Sequence, residues 1–198
     1  RALGRVSRQA SSFSTARERH LARQRVTAAW IILGTVVVQR LGELLYAGRN
    51  TRRLRARGGQ EFGARHYPLF SLLHGGWLNA LAIWLIVTGG EYIDWPLVAV
   101  YGALQCFRAW ILISLGERWT TRIIVLPGAP LVSVGPYRFL KHPNYWLVCG
   151  EVAVLPLIFG AWHLALAFSL LNGALLYHRI RVENAALYGQ AEHANDRR

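Results

Sequence analysis

Five apolar runs, at residues 26–47, 67–90, 95–115, 145–160 and 161–178, constrain this chain more than any other feature. A helix rises about 1.5 Å per residue, so the first run would reach roughly 33 Å, the depth of a bilayer's hydrocarbon core. Hydrophobic residues make up 53% of the chain and charged ones only 17%, which sets a water-soluble fold at a disadvantage. The expected fold is all-α: a polytopic membrane bundle of about five transmembrane helices, with a small cytoplasmic β-hairpin or loop. The hairpin is expected where two β-branched runs flank Pro127-Gly128-Ala129-Pro130.

The net charge of +13 raises the question of nucleic acid. The arginines, however, lie in the flanks and loops between apolar runs, and no nucleic-acid reading motif accompanies them. In a membrane protein such charges orient the chain and meet anionic head groups. Six arginines between Gly48 and His66, interrupted by Gly58–Gly59, put that loop in the cytoplasm. Spans two to five then alternate consistently. The first has equally basic flanks and is not oriented by this rule. Either the tail before it is not the native start (a valine start near Val26 would remove it), or the first run does not cross.

Three regions follow. Residues 1–25 carry seven arginines and form a basic tail, disordered or lying on the membrane surface. Residues 26–188 form the integral-membrane domain, and residues 189–198 a polar C-terminal tail. Cys106 and Cys149 stand in apolar runs without partner spacing, as free thiols; no metal-ligand set is visible.

A few polar residues interrupt the apolar runs, each with two readings. Arg40 and Glu43, three apart on one helix face, form a mutual ion pair or line a polar site. His74, in the second span with Asn79, makes an interhelical hydrogen bond or marks a site. Arg108 snorkels to the surface or serves a site.

The chemistry concentrates in residues 133–151, SVGPYRFLKHPNYWLVCGE. A Gly135–Pro136 turn leads into Tyr137, Arg138, Phe139 and Lys141. His142–Pro143 then interrupts any helix, because proline disfavours the helical conformation before it and lacks an N–H. A polar lip thus sits at the mouth of an apolar segment. Further on, Arg179 and Glu183 stand four apart, one helical turn, as a surface salt bridge or as part of a site.

Together these residues resemble the membrane-embedded methyltransferases of the isoprenylcysteine carboxyl methyltransferase and phospholipid methyltransferase superfamily. Gly135, Tyr137, Arg138, His142, Pro143 and Tyr145 match its first motif, with Lys141 in place of arginine. Arg179, Glu183 and Leu187 match its second, with Asn184 replacing a glutamate; Leu147 stands where a glycine is usual. Within the superfamily the pattern is most similar to bacterial members found beside type III polyketide synthases.

The resemblance implies S-adenosyl-L-methionine as cofactor, held without a Rossmann domain. Val134, Gly135, Tyr137, His142, Pro143, Tyr145 and Glu183 would bind it. Arg179, Glu183 and Glu151 would be catalytic, Glu151 by helping to deprotonate an enol or phenol. The alternative for Glu151 is a helix–helix hydrogen bond with Asn172. The implied activity is O-methylation of a lipophilic acceptor: an alkylpyrone, an alkylphenol or quinol, or a prenylcysteine-type carboxylate. Its partners would be that small molecule and membrane lipid, without nucleic acid. The implied location is the bacterial cytoplasmic membrane, with the active site facing the cytoplasm. Two other functions compete. A steroid-reductase-like NADPH enzyme shares His-Pro-Asn-Tyr but places Gly-Glu closer to the tyrosine than Gly150–Glu151 stand here. A non-enzymatic membrane adaptor would bind no small cofactor.

Overall fold

The computed structural model describes the backbone of residues 2–195 and the side chains of residues 17–65 and 67–186. The outermost ends of both expected tails and the side chain at position 187 lie outside the described residues. Among the described residues, helices α1 (Ala2–Ala56), α2 (Tyr67–Thr88), α3 (Trp95–Leu115), α4 (Pro143–Ile158) and α5 (Trp162–Asn195) form a bundle. Strands β1 (Gln60–Phe62) and β2 (Ile123–Val125) lie at one end of it, hereafter the sheet end.

Helices α1, α2 and α3 are long and apolar enough to cross a membrane, and α4 is a shorter apolar helix. Their outward faces carry Ile31, Val38 and Leu45, then Leu72, Ile83 and Val87, then Ile113, all well exposed. Such a belt is stable against lipid rather than water, and every helical backbone group in it is satisfied internally. The protein is an integral membrane helix bundle. Its inward faces bring Leu33, Val36, Trp77, Leu81, Leu85, Leu155 and Ile158 into one core.

Turns pin both ends. Opposite the sheet, Asp94 caps α3 by accepting from the Leu97 N–H at 3.1 Å. The Asp94 N–H donates to the Ile158 carbonyl at 2.9 Å, and Trp84 Nε1 donates to that of Phe159 at 2.9 Å. At the sheet end, Asn50 Nδ2 donates to the carbonyls of Gly116 at 3.2 Å and Trp119 at 2.9 Å. Helix α1 reaches both ends: Ala29 packs beside Gly90, and Asn50 holds the turn after α3. The first apolar run therefore traverses the full depth of the bundle, against the reading in which it fails to cross.

Two further expectations need correction. Residues 48–56 are not loop; α1 continues to Ala56 because Asn50, Thr51 and Leu54 are buried against neighbours. Gly58, at φ +88°, then ends it, and the Gly59 N–H returns to the Leu54 carbonyl at 2.8 Å. Nor do the two runs around Pro127–Pro130 pair with each other. β2 pairs antiparallel with β1, Gln60 opposite Val125 and Phe62 opposite Ile123. Glu61 fastens this long-range sheet by meeting both Arg55 and Arg122.

The intramembrane charges form one connected layer. Arg40 donates to Glu43 at 3.0 Å and to Glu151 at 2.6 Å. Arg108 donates through Nε to Glu151 at 2.8 Å, through Nη1 to Glu43 at 2.8 Å, and through Nη2 to Glu151 again. Gln105 adds a bond to Glu151 at 2.9 Å, and Gln39 joins Glu43 to Gln105. The Arg40–Glu43 pair is thus real but part of a larger neutral set of two cations and two carboxylates. Arg108 does not snorkel; it is 3% exposed. Asn172 donates to Cys149 Sγ at 3.8 Å, not to Glu151. His74 and Asn79 bond carbonyls of their own helix, those of Phe70 and Gly75, rather than bridging helices.

Breaking a buried pair by removing one partner typically costs about 3–5 kcal/mol, because the other charge is left unpaired. Glu151→Leu should lower the unfolding free energy of the detergent-solubilised protein by about that amount, seen as a lower thermal midpoint, and Glu151→Gln should lower it by less. A midpoint unchanged in Glu151→Leu would show that the layer does not hold the bundle.

Candidate active site

The turn at Gly135 sets the site. Gly135 has φ +60°, and a Cβ there would stand 2.0 Å from Ser114 Oγ and 3.1 Å from Trp110 Nε1. Only glycine fits, so the segment can lie directly against the end of α3. Pro136 is buried behind it, and its carbonyl accepts from the N–H groups of Phe139 at 3.1 Å and Leu140 at 3.0 Å. His142 precedes α4 in a non-helical conformation, and Pro143 opens the helix. The His142 carbonyl then accepts from the Tyr145 N–H at 3.1 Å, which turns the phenol ring back onto the imidazole. The two rings stack with centroids 5.2 Å apart and planes 18° from parallel.

Helix α5 supplies the other half. Arg179 and Glu183 project from one face and both meet the Tyr145 hydroxyl. Arg179 Nε donates to that oxygen at 3.0 Å, and the hydroxyl donates to Glu183 Oε2. His142 Nδ1 stands 4.0 Å from the same carboxylate oxygen. Arg179 is further held by the Thr121 carbonyl at 2.8 Å and lies over the ring of Phe70. Two stretches of chain 34 residues apart, at Tyr145 and Arg179, therefore meet in one hydrogen-bonded group.

Beside this group lies a cavity of about 170 Å³. Arg118, Arg122, Lys141 and Arg179 line it, against Glu183 as its carboxylate. It carries a net positive field and suits an anionic group. Tyr137 also lines it; burial, and then the nearby Glu183, raise its phenol pKa above the usual range, so it remains a hydrogen-bond donor.

Tyr137, His142, Tyr145, Arg179 and Glu183 are thus brought together. Gly135 and Pro143 shape the wall behind them, and the Val134 side chain points away, exposed. Glu151 does not line the cavity; it is fully buried in the charge layer. Ala47, Ile111 and Leu147, each about one turn nearer the sheet end than Glu43, Arg108 and Glu151, pack with Trp119 into an apolar layer on the cavity side. Arg118, Arg122 and Asn144 line the cavity without having been singled out from sequence. Arg122 left no local signal, because it is placed by distant partners, Glu61 and the ring of Tyr67.

The family model of the isoprenylcysteine carboxyl methyltransferase (ICMT) family matches residues 97–189, which run from α3 through the cavity to Glu183 and beyond. The chain belongs to the isoprenylcysteine carboxyl methyltransferase family. Similar to it is "Uncharacterized protein YpbQ" of Bacillus subtilis (strain 168), 37% identical over 160 residues, covering 80% of this chain and 95% of that one. An "Uncharacterized protein" of Haemophilus influenzae (strain ATCC 51907 / DSM 11121 / KW20 / Rd) is 24% identical over 163 residues, covering 79% of this chain and 93% of that one. No solved structure matches the chain. As an isoprenylcysteine carboxyl methyltransferase family member, the protein is a membrane-embedded methyltransferase, and the matched stretch contains every cavity-lining residue described above.

In this methyltransferase, Tyr145→Phe deletes the oxygen that joins Arg179 to Glu183. Hydrogen bonds to charged groups are worth about 1.5–3 kcal/mol. A double-mutant cycle of Tyr145→Phe with Glu183→Gln, read by thermal or denaturant unfolding, should show coupling of that order. Strict additivity would mean that the two side chains act independently.

Proposed function

We propose that the protein transfers a methyl group from S-adenosyl-L-methionine to an acidic oxygen of a lipophilic acceptor. The observation that carries this reading is the Arg179–Tyr145–Glu183 group, stacked on His142 at the edge of a cationic cavity. The residues present fit the cofactor's charges. Glu183 is an acceptor for its ammonium, and Arg118 or Arg122 would take its carboxylate. The rings of His142 and Tyr145 offer π faces to a sulfonium. The cavity of about 170 Å³ is smaller than the roughly 300–1,000 Å³ of most small-molecule sites, so the cofactor would extend through its open mouth.

When bound, the cofactor supplies an electrophilic methyl group. The protein's task is to present a deprotonated oxygen in line with that group and away from bulk water. Arg179, fixed by Thr121 and Tyr145, holds the acceptor oxygen as an anion, and the excess of cations around the cavity lowers the acceptor's pKa. Tyr137 is a neutral donor to the same oxygen or to the cofactor. Glu151 belongs to the charge layer and positions α4 rather than meeting the acceptor.

An acceptor with an acidic head and an apolar tail matches a cationic cavity set in a lipid-facing bundle. Alkylpyrones, alkylphenols or quinols, and prenylcysteine-type carboxylates all have this form. The arginine-rich stretch 49–57 lies at the same end as the cavity, which favours a site facing the cytoplasm of a bacterial cell.

The test is methyl transfer from isotope-labelled S-adenosyl-L-methionine to a panel of those three acceptor classes, with product mass as the readout. At least one class should gain a methyl. Glu183→Gln and Arg179→Lys should lower kcat/KM about 10- to 100-fold, the worth of one charged hydrogen bond. Full activity in both variants would remove these residues from the reaction.

A further inference from the structure

The segment between β2 and α4 carries an apolar surface that the bundle does not cover. Leu131 is 71% exposed, Val134 59%, Phe139 73% and Leu140 40%. These four are not needed to close the cavity, whose lining from this segment is Tyr137, Lys141 and His142. They lie within a stretch that is well fixed, because Gly135 is wedged against Trp110 and Ser114 and Pro136 is buried.

The place of that wedge matters. Trp110 and Ser114 belong to the last turns of α3, inside its apolar span, not beyond its end. Around them the lipid-facing belt continues: Trp110 is 47% exposed, Ile113 81%, and Trp146 on the first turn of α4 69%. The uncovered residues thus extend the belt sideways, at the same level as the end of α3. Arg138 and Lys141 are exposed among them. The pattern is that of an interfacial element: an aromatic and aliphatic wedge bordered by cations, with tryptophans at the boundary.

We propose that residues 131–141 are a membrane-docking element. In it Leu131, Val134, Phe139 and Leu140 enter the lipid interface at the sheet end, while Arg138 and Lys141 pair with anionic lipid phosphates. Its occupant is the lipid leaflet, chosen over a protein partner by continuity with the belt and by the flanking cations. The consequence is that the wall of the cavity is itself anchored in lipid, with the mouth of the site at head-group level.

The experiment uses the full chain, with Cys106→Ser and Cys149→Ser, in nanodiscs of phosphatidylethanolamine and phosphatidylglycerol. An environment-sensitive fluorophore is attached at Phe139→Cys, at Leu131→Cys, and at Arg57→Cys as an exposed control. The labels at 139 and 131 should be quenched by spin-labelled lipid and should be several-fold less accessible to acrylamide than the label at 57. Two positions are used so that failure of one variant to fold leaves the other. Acrylamide quenching equal to that at position 57 would overturn the proposal. So would shielding from acrylamide without quenching by lipid, which would mean that protein covers the patch. In phosphatidylcholine discs the protection should weaken, and Arg138→Gln with Lys141→Gln should abolish the difference between disc types. Equal protection in both disc types before those changes would overturn the assignment to anionic phosphates.

Discussion

The fold depends on four charges that have no business in an apolar bundle unless they are together. Arg40, Glu43, Arg108 and Glu151 come from three helices, and none could be buried alone without a cost of several kcal/mol. As a neutral set with Gln39 and Gln105, they leave no carboxylate oxygen without a donor. The geometry that satisfies them fixes α1, α3 and α4 in depth and rotation at once. A slip of one residue in any of the three helices would turn a charge toward lipid.

That constraint reaches the candidate site through packing. One turn beyond the charges, Ala47, Ile111 and Leu147 are locked with Trp119, and the carbonyls of Trp119 and Gly116 are held by Asn50. The segment that follows carries Thr120 and Arg122 to the cavity and sets the Thr121 carbonyl against Arg179. The Gly135 wedge carries Tyr137 and His142 there from the other side. Each of these cavity side chains is thus set by a contact whose origin lies deeper in the bundle, which gives the cavity a rigid floor. The apolar layer also separates the charges that hold the bundle from those that line the cavity.

What could be read from the sequence was local. Apolar run length gave the helices, and the Gly-Pro and His-Pro pairs gave the turn before α4 and its first residue. The four-residue spacing of Arg179 and Glu183 gave their shared face. What could not be read was pairing at a distance. Glu151 is legible as an oddity, but its partners lie on α1 and α3, far outside any local window, so a local reading offers only Asn172 or a catalytic role. The β-branched run at Ile123–Val125 was legible as a strand. Its partner was not, since Gln60–Phe62 holds only one apolar residue and is selected by Glu61 meeting Arg55 and Arg122.

In the proposed reaction, Glu183, tied to Arg179 through Tyr145, forms part of a cofactor site. Equilibrium binding of S-adenosyl-L-methionine to the purified protein tests it most directly. Binding should be saturable, competed by S-adenosylhomocysteine, and weakened about tenfold or more in Glu183→Gln, a loss of about 1.4 kcal/mol. Absence of binding, or an affinity that Glu183→Gln leaves unchanged, would contradict it.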